Sequence, residues 1–259
     1  MSVAELEALW RESGGEFPQL VAISADLDHQ RIFAAAWPEC RPFVAALLSG
    51  ARDQCAAIVE QKRARGHGLV EVEHELIRPA LYCIGEKWRN RQISIAQEHL
   101  ATALSQSVMA EALLRSPAPE RNGKKVLLAC IQGNHHALDM QMVADAFTLA
   151  GWHVNFLGAN VPTHVVIEHA KEWGADLLGL SASLPEHVRE LSIATDELRR
   201  ALGERCPPIM VGGQGFDALQ AHFDHDEASQ WVSDPRAAVI AGELACMRPD
   251  SAPMLARHA

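Results

Sequence analysis

Two adjacent histidines, His135 and His136, lie on a short loop between a predicted strand and a predicted helix. The strand is the apolar run 125–130, and the helix extends from Asp139, the expected N-cap, to about Ala150. Loops that follow the strands of an open parallel α/β sheet bind its ligands, and a neutral imidazole is a good metal ligand. A structural core histidine is the alternative, but two adjacent histidines at this position favour a metal ligand.

Two later loops carry further residues suited to binding. Ser181 and Ser183 follow the third predicted strand, and Gly212 and Gly213 follow the fourth. Paired glycines after a strand let the backbone approach a bulky ligand closely. Each signal is weak alone, but their order and spacing together are specific.

The elements that position these loops alternate between strand and helix. Strands are predicted at 125–130, 153–158, 177–181, 208–213 and 230–232, and helices at 139–150, 162–173 and 185–202. This alternation with short loops predicts an α/β fold with a doubly wound parallel five-stranded sheet.

The first part of the chain is almost entirely helical in pattern. Helices are predicted at 19–35, 42–59, 69–88 and 94–114, after a short amphipathic stretch at 3–10, and the last begins with a capping-box pattern at Ser94. Four such helices with short connections indicate a bundle. A Pro-rich linker at 115–123 then divides the chain into a helical bundle, 1–115, and a Rossmann-like domain, 124–259.

Composition excludes several functions. The 259 residues have a net charge of −10 and no basic arm, which argues against nucleic-acid binding. An acidic N-terminus and the lack of a long apolar run predict a cytoplasmic protein without membrane contact. Six cysteines without a CxxC pair indicate reduced thiols. No nucleophile–base set, paired carboxylate or phosphate loop is recognised, so we expect no independent enzymatic activity.

The three loops together resemble the cobalamin-binding domain of methionine-synthase type, whose pattern is Asp-x-His-x-x-Gly, then Ser-x-Leu, then Gly-Gly. The resemblance implies that His136 replaces the cofactor's dimethylbenzimidazole as lower axial ligand of cobalt, with the nucleotide tail in a slot beside Ser181, Gly212 and Gly213. The cofactor-binding residues it implies in this domain are Asn134, His135, His136, Ala137, Leu138, Asp139, Ser181, Ser183, Gly212 and Gly213.

Three residues depart from that pattern. Asn134 replaces the aspartate, so we expect the imidazole to have a neutral hydrogen-bond acceptor and to be a weaker ligand. Asp139 replaces the glycine, and we expect it to crowd the tail channel. Ser183 replaces the leucine.

The helical part resembles the cap of the CarH-type cobalamin photoreceptors in its Trp-x9-Glu-His pattern, here Trp88, Glu98 and His99. The resemblance implies that these residues cover the upper face of the corrin and enclose its 5′-deoxyadenosyl group. A core tryptophan with an exposed Glu-His pair at a helix start is the alternative. Two features differ: no winged-helix domain is expected before the bundle, and Arg89 follows the tryptophan where some relatives have a histidine.

These resemblances predict a stand-alone light sensor that binds adenosylcobalamin base-off with His136 bound, undergoes Co–C photolysis and signals through an unidentified effector protein or a light-dependent homo-oligomer. Some stand-alone relatives, the photocobilins, also hold a biliverdin beside the cobalamin, so biliverdin is a candidate second chromophore. The first alternative is a corrinoid carrier of a methyltransferase system. The second is an interaction module that has lost the cofactor.

Overall fold

The helices of the first part form a bundle. The computed structural model describes residues 40–184, 187–213, 229–232 and 235–247, so the predicted segments 3–10 and 19–35 lie outside the described residues. Helical segments in the bundle are α1 (40–48), α2 (Arg52–Ala64), α3 (Leu69–Val72), α4 (Arg78–Arg89) and α5 (Ile95–Leu114). A π-helical turn, Glu73–Ile77, joins α3 to α4, so the helix predicted at 69–88 is confirmed as one continuous run.

Two helix boundaries in the bundle show where the local sequence signal is reliable and where it is not. The Ser94 side chain accepts a hydrogen bond from the Gln97 backbone N–H, and the Gln97 side chain accepts one from the Ser94 N–H, which confirms the capping box. The single helix predicted at 42–59 is wrong, because the chain turns at Ser49 and Gly50 between α1 and α2. Gly50 has a φ of +73°, a left-handed conformation that ends a helix and favours glycine.

The second part is a parallel sheet with helices on both faces. Its elements are β1 (Lys125–Cys130), α6 (Leu138–Leu149), β2 (His153–Phe156), α7 (Thr163–Trp173), β3 (Leu177–Ser181), α8 (Val188–Leu202), β4 (Ile209–Gly212), β5 (Ser229–Val232) and α9 (Pro235–Met247). The strand order is β2-β1-β3-β4-β5, and β5 pairs with β4 at the edge. The predicted helical bundle followed by a doubly wound parallel sheet is confirmed.

Alternating side chains of the central strands build the core on both faces of the sheet, as expected where helices cover both. On one face Val126, Leu128 and Cys130 pack with α6 and α9. On the other face Leu127 and Ala129 pack in the cluster that includes residues of α7 and α8. Residues 116–124 contain no helix or strand, in agreement with the predicted linker.

Helix α6 connects the two parts. Met140, Ala144 and Phe147 pack in the sheet core, whereas Met142 is fully buried in the core of the bundle. Leu138 and Leu149 also pack against the bundle core. These bundle-facing positions recur every four to seven residues, so α6 has an apolar stripe on each side.

Two further observations concern the cysteines and the length of the apolar helices. All six cysteines are free thiols. Among the described residues, no helix combines the length and the apolar character needed to cross a lipid bilayer.

Candidate functional site

The loops after β1, β3 and β4 meet at the carboxyl edge of the sheet. Strand β2 lies on one side of β1, and β3 lies on the other side. The strand order therefore reverses between β1 and β3. Loops diverge at such a point and leave a crevice above the strand ends, where open α/β sheets bind ligands. The first loop carries the histidine pair, so the predicted location of the site agrees with the topology.

Asn134 organises the histidine loop. Its side chain is fully buried, and its Oδ1 accepts a hydrogen bond from the backbone N–H of His136 at 3.1 Å. This contact between residues two apart is an Asx turn, which holds the loop backbone at His136. Asn134 Nδ2 donates to the carbonyl of Ser181 at 2.9 Å and so connects the loop to β3.

Asn134 has a role that its residue type did not indicate. Its Oδ1 accepts a hydrogen bond from the backbone N–H of His136, while its expected role as an acceptor for the His136 imidazole stays a prediction. The bond to the Ser181 carbonyl needs a donor, which an aspartate carboxylate does not have. An asparagine at this position therefore fits the contacts of the loop.

Residues that the sequence analysis did not select complete the loop. Asn160, on the segment after β2, accepts a hydrogen bond at its Oδ1 from Gly133 N–H at 2.8 Å, and its own N–H donates to the Asn134 carbonyl. His187, just before α8, has its ring beside Gly133 and a buried Nδ1 without a hydrogen-bond partner among the described residues. Asn160 has a positive φ of 54° and lies two residues after Gly158. A glycine at that position is a turn signal in the sequence, and it could have indicated a constrained loop.

Both histidine side chains are exposed at the crevice. The backbone at His136 is held twice: its N–H by Asn134 Oδ1, and its carbonyl by the Cys130 thiol, which donates at 3.6 Å. Burial raises the pKa of the Cys130 thiol to about 12, so this group stays protonated and keeps its donor role. The structure thus presents an accessible imidazole at residue 136 on a fixed backbone.

The opposite wall of the crevice comes from β3 and β4. Ser181 is buried, and its carbonyl accepts from Ile131 N–H as well as from Asn134. Ser183 is also buried, but its Oγ has no hydrogen-bond partner within the described ranges 40–184, 187–213, 229–232 and 235–247. A buried hydroxyl without a partner is costly, so this oxygen is suited to bind a polar ligand group.

Gly213 has no room for a side chain. Its φ is +133°, and a Cβ at this position would lie 1.8 Å from the Ala182 carbonyl oxygen. Gly213 therefore lies directly against Ala182, the residue between Ser181 and Ser183. Gly212, in contrast, is the last residue of β4 and pairs with Ser181 in register.

Replacing Gly213 with alanine is expected to destabilise the protein by about 3 kcal/mol or more, because it combines a forbidden φ with a backbone clash. Chemical denaturation of the two proteins measures the difference. Gly158→Ala is the matched control, since Gly158 also has a positive φ, +87°, but a Cβ there would have no atom within 4 Å. Equal losses in the two variants would show that the close approach to Ala182 has no energetic importance.

Asp139 is not the predicted N-cap of α6, and its carboxylate contacts the bundle. Helix α6 begins at Leu138 after Ala137, without a side-chain cap, so Asp139 is in the first turn and is not the N-cap. Its carboxylate lies 3.4 Å from Arg78 Nε and 3.5 Å from the Tyr82 hydroxyl, both on α4. These contacts direct the carboxylate to the bundle, and the expected crowding of the tail channel by this residue stays a prediction.

The predicted cap residues lie around the turn between α4 and α5. Trp88 is in the last turn of α4 and is 49% exposed. Glu98 and His99 are in the first turns of α5, where Glu98 Oε2 lies 2.7 Å from His99 Nδ1 and Oε1 accepts from Thr102. Arg89 is exposed and pairs with Glu86 at 2.6 Å. The structure therefore places a large uncovered aromatic ring and an exposed imidazole near one end of the bundle.

Comparisons with known families address both parts of the chain. Two family models, each described as a B12 binding domain, match residues 40–112 and residues 124–233. The chain is a B12-binding protein. The matched ranges correspond to the helical bundle and to the parallel sheet, including the crevice.

Curated relatives of this B12-binding protein fall into two groups. The HTH-type transcriptional repressor CarH of Myxococcus xanthus is 28% identical over 148 residues, which are 57% of this chain and 48% of that protein. The dimethylamine corrinoid protein of Methanosarcina barkeri is 26% identical over 203 residues, which are 75% of this chain and 91% of that protein. The chain thus spans about half the length of CarH.

A solved structure supports the fold. The monomethylamine corrinoid protein of Methanosarcina barkeri has a TM-score of 0.64 and 16% sequence identity, with 78% of this chain and 96% of that chain covered. At this identity the likeness concerns the fold alone.

The residues of the crevice fit a cobalamin. His136 has an accessible imidazole, and Gly213 offers a glycine backbone for close approach. Ser183 has a buried hydroxyl without a hydrogen-bond partner among the described residues. No group of three or more His, Cys, Asp or Glu side chains in the described part of the chain could hold a bare metal ion. A metal brought by a corrin needs one protein ligand, and the exposed imidazole of His136 is suited to that role.

Proposed function

We propose that this B12-binding protein is a light sensor that binds adenosylcobalamin with His136 as lower axial ligand and signals to a partner protein. The observation that carries the proposal is the arrangement of the cap, with a half-exposed Trp88 at the end of α4 and the paired Glu98 and His99 at the start of α5. A large exposed aromatic ring on one helix and a polar pair on the next are residue types suited to enclose a nucleoside-like group. The similarity to the CarH repressor supports the same assignment.

Adenosylcobalamin supplies a Co–C bond that visible light breaks. The protein would bind this cofactor and cover its upper group. His136 would hold the cofactor on a backbone fixed by Asn134 and Cys130, while Ser183 and Gly213 would lie beside its nucleotide tail. Trp88 would cover the adenosyl group, and would lose this packing partner once light has cleaved the Co–C bond.

The proposed output is a changed bundle surface. When Trp88 loses its packing partner, α4 and α5 are expected to shift relative to the sheet, because a bistable packed interface responds to such a loss. An effector protein, or a second copy of this chain, then recognises the new surface. Biliverdin as a second chromophore is part of the proposal, in the region ahead of Trp88, of which residues 1–39 lie outside the described ones.

A corrinoid carrier of a methyltransferase system is the second candidate. The matching region covers 91% of the dimethylamine corrinoid protein, and the fold agrees with the monomethylamine corrinoid protein at a TM-score of 0.64. A carrier would present a methyl group to a separate enzyme and would not need a large aromatic residue above it. The two candidates thus differ in what Trp88 does.

The deciding experiment compares the protein loaded with adenosylcobalamin in the dark and after illumination. We expect the absorption spectrum to change to that of an aquo- or hydroxo-type cobalamin, and amide hydrogen exchange in residues 86–99 to become about tenfold faster as the cap loosens. The same measurement with methylcobalamin is the control, since its small upper group leaves Trp88 uncovered in the dark as well.

A spectrum that light does not change removes the sensor. A spectral change without any change in exchange or oligomeric state shows photolysis without signalling, and favours the carrier. Absence of any cobalamin binding would favour the remaining alternative, an interaction module that has lost the cofactor. A biliverdin-type absorption band in protein produced with that pigment tests the second chromophore.

A further inference from the structure

Helix α6 packs against both the bundle and the sheet. It begins two residues after His136, so its first turn continues the loop that carries the proposed ligand. Met142 lies fully buried in the bundle core, and Met140 lies in the sheet core. A helix held on both sides transmits a displacement of the bundle to the loop in front of it.

Asp139 provides a polar connection at the point where α6 begins. Arg78 Nε donates to the Tyr82 hydroxyl at 2.7 Å and lies 3.4 Å from Asp139 Oδ1. The Tyr82 hydroxyl is 3.5 Å from Asp139 Oδ2, and the Arg78 guanidinium lies over the Tyr82 ring, 5.4 Å from its centroid. We refer to these three side chains as the Arg78 bridge.

Partial burial strengthens the Arg78 bridge. The side chains of Arg78 and Asp139 are 13% and 25% exposed, so solvent and salt screen their attraction less than at the surface. The exposed pair between Arg89 and Glu86 on the same helix, with side chains 74% and 52% exposed, has no such protection. The bridge is therefore the stronger of these two ion pairs of α4.

The same helix carries Arg78 and Trp88. Arg78 is the first residue of α4 and Trp88 lies in its last turn, about 15 Å away along the axis at 1.5 Å per residue. A single helix moves as one body over this length. A shift of Trp88 is thus accompanied by a shift of Arg78, and Asp139 is separated from His136 only by Ala137 and Leu138.

We propose that Asp139 is a positioning residue that, through Arg78 and Tyr82, couples the position of Trp88 on the upper face to the orientation of His136 on the lower face. The inference rests on the proposed function, because it takes His136 as the cobalt ligand. It adds a route between the cap and the ligand. Loss of packing at Trp88 then changes the geometry of the lower ligand, and a change of that ligand alters how tightly the cap is held.

A double-mutant cycle on the full-length protein loaded with adenosylcobalamin tests the coupling. The four proteins are wild type, Trp88→Ala, Asp139→Asn and the double variant, and the measurement is the dissociation rate of the cofactor in the dark. We expect Trp88→Ala to increase this rate about tenfold in the wild type but less than about twofold in the Asp139→Asn background, because the coupling has already been removed.

A spectroscopic measurement separates positioning from simple stabilisation. In the paramagnetic cobalt(II) form, electron spin resonance detects the nitrogen of the axial imidazole. We expect Asp139→Asn to alter this nitrogen splitting and Asp139→Glu, which retains the carboxylate, to restore it. Asp53→Asn is the matched control, since it makes the same charge change at a fully exposed side chain on α2.

The possible results separate a failure of the coupling from a failure of the proposed function. Equal effects of Trp88→Ala in both backgrounds, with an unchanged nitrogen signal in Asp139→Asn, overturn the coupling and leave the proposed function intact. If the wild type shows no nitrogen splitting that His136→Ala removes, the failure is that of the proposed function. Should Asp139→Asn not fold, Arg78→Lys performs the same test, because lysine keeps the charge but lacks the Nε that contacts Tyr82 and Asp139.

Discussion

Glu73→Gln is expected to stabilise the protein increasingly as the pH rises, relative to the wild type. The difference in the free energy of unfolding between the two proteins should grow by about 1.4 kcal/mol for each pH unit between pH 5.5 and 8.5. Urea denaturation at three pH values in this range measures it. A change of about 4 kcal/mol over the whole range is a large fraction of the stability of an ordinary domain, which is about 5–15 kcal/mol.

The reason is a pair of buried carboxyl groups between the bundle and the sheet domain. Glu73, in the π-helical turn, is fully buried, and Asp145, on α6, is 2% exposed. Gln141 Nε2 donates to Asp145 Oδ1 at 2.7 Å, but both oxygens of Glu73 and Oδ2 of Asp145 have no donor among the described residues. A proton on Glu73 removes the repulsion and lets its hydroxyl donate to Asp145.

The sign of the pH dependence follows from the pKa values. Burial first, and the neighbouring Asp145 second, raise the pKa of Glu73 from 4.5 to about 10. Burial also raises the pKa of Asp145. The folded protein therefore keeps a proton on Glu73 that the unfolded chain releases above pH 4.5. The stabilisation is complete below that pH and is lost progressively as the pH rises towards 10.

Glutamine at residue 73 imitates the protonated state, since its Nε2 donates to Asp145 and it does not titrate. Glu75→Gln is the control, because Glu75 lies in the same π-helical turn but is 42% exposed in its ion pair with Lys62. We expect its effect to be nearly independent of pH in this range. A constant difference between wild type and Glu73→Gln would mean that the two carboxyls are not coupled as the structure indicates.

Sequence patterns predicted the elements well where the local signal and the tertiary environment agree. The strands 125–130 and 177–181 were predicted at the observed boundaries, because both are short apolar runs with polar residues or turns at their ends. Helix α5 begins where the Ser94 capping box predicted. In contrast, one glycine at residue 50 divides a region whose apolar periodicity continues through the turn.

The site was predicted in part, and the missing contacts are those between distant segments. The three loops converge because parallel strands bring their carboxyl ends to one edge. The contact of Asn160 with Gly133 joins residues 27 apart, and that of Tyr82 with Asp139 joins residues 57 apart. Periodicity gives no information on such pairs. Asp139 had the residue type of an N-cap, but a partly buried cation in the bundle provides its partner.

The two adjacent histidines are expected to contribute unequally to cobalamin binding. His136→Ala is expected to weaken adenosylcobalamin binding about 10- to 100-fold, and His135→Ala about twofold or less. Both side chains are exposed, so accessibility does not distinguish them. The difference lies in the backbone, because the N–H and the carbonyl of residue 136 are held by Asn134 and Cys130, respectively. A fixed backbone directs its imidazole with less loss of conformational entropy on ligation.

Equilibrium dialysis in the dark gives the affinities, and the nitrogen splitting of the cobalt(II) form identifies the ligand. We expect the splitting to persist in His135→Ala and to disappear in His136→Ala. The reverse pattern would mean that the imidazole of residue 135, and not that of residue 136, is the ligand. Unchanged binding in both variants, without any splitting in the wild type, would make the crevice a corrin site without an imidazole ligand, and the cofactor would then be held by other contacts, among them those of its tail with Ser183 and Gly213.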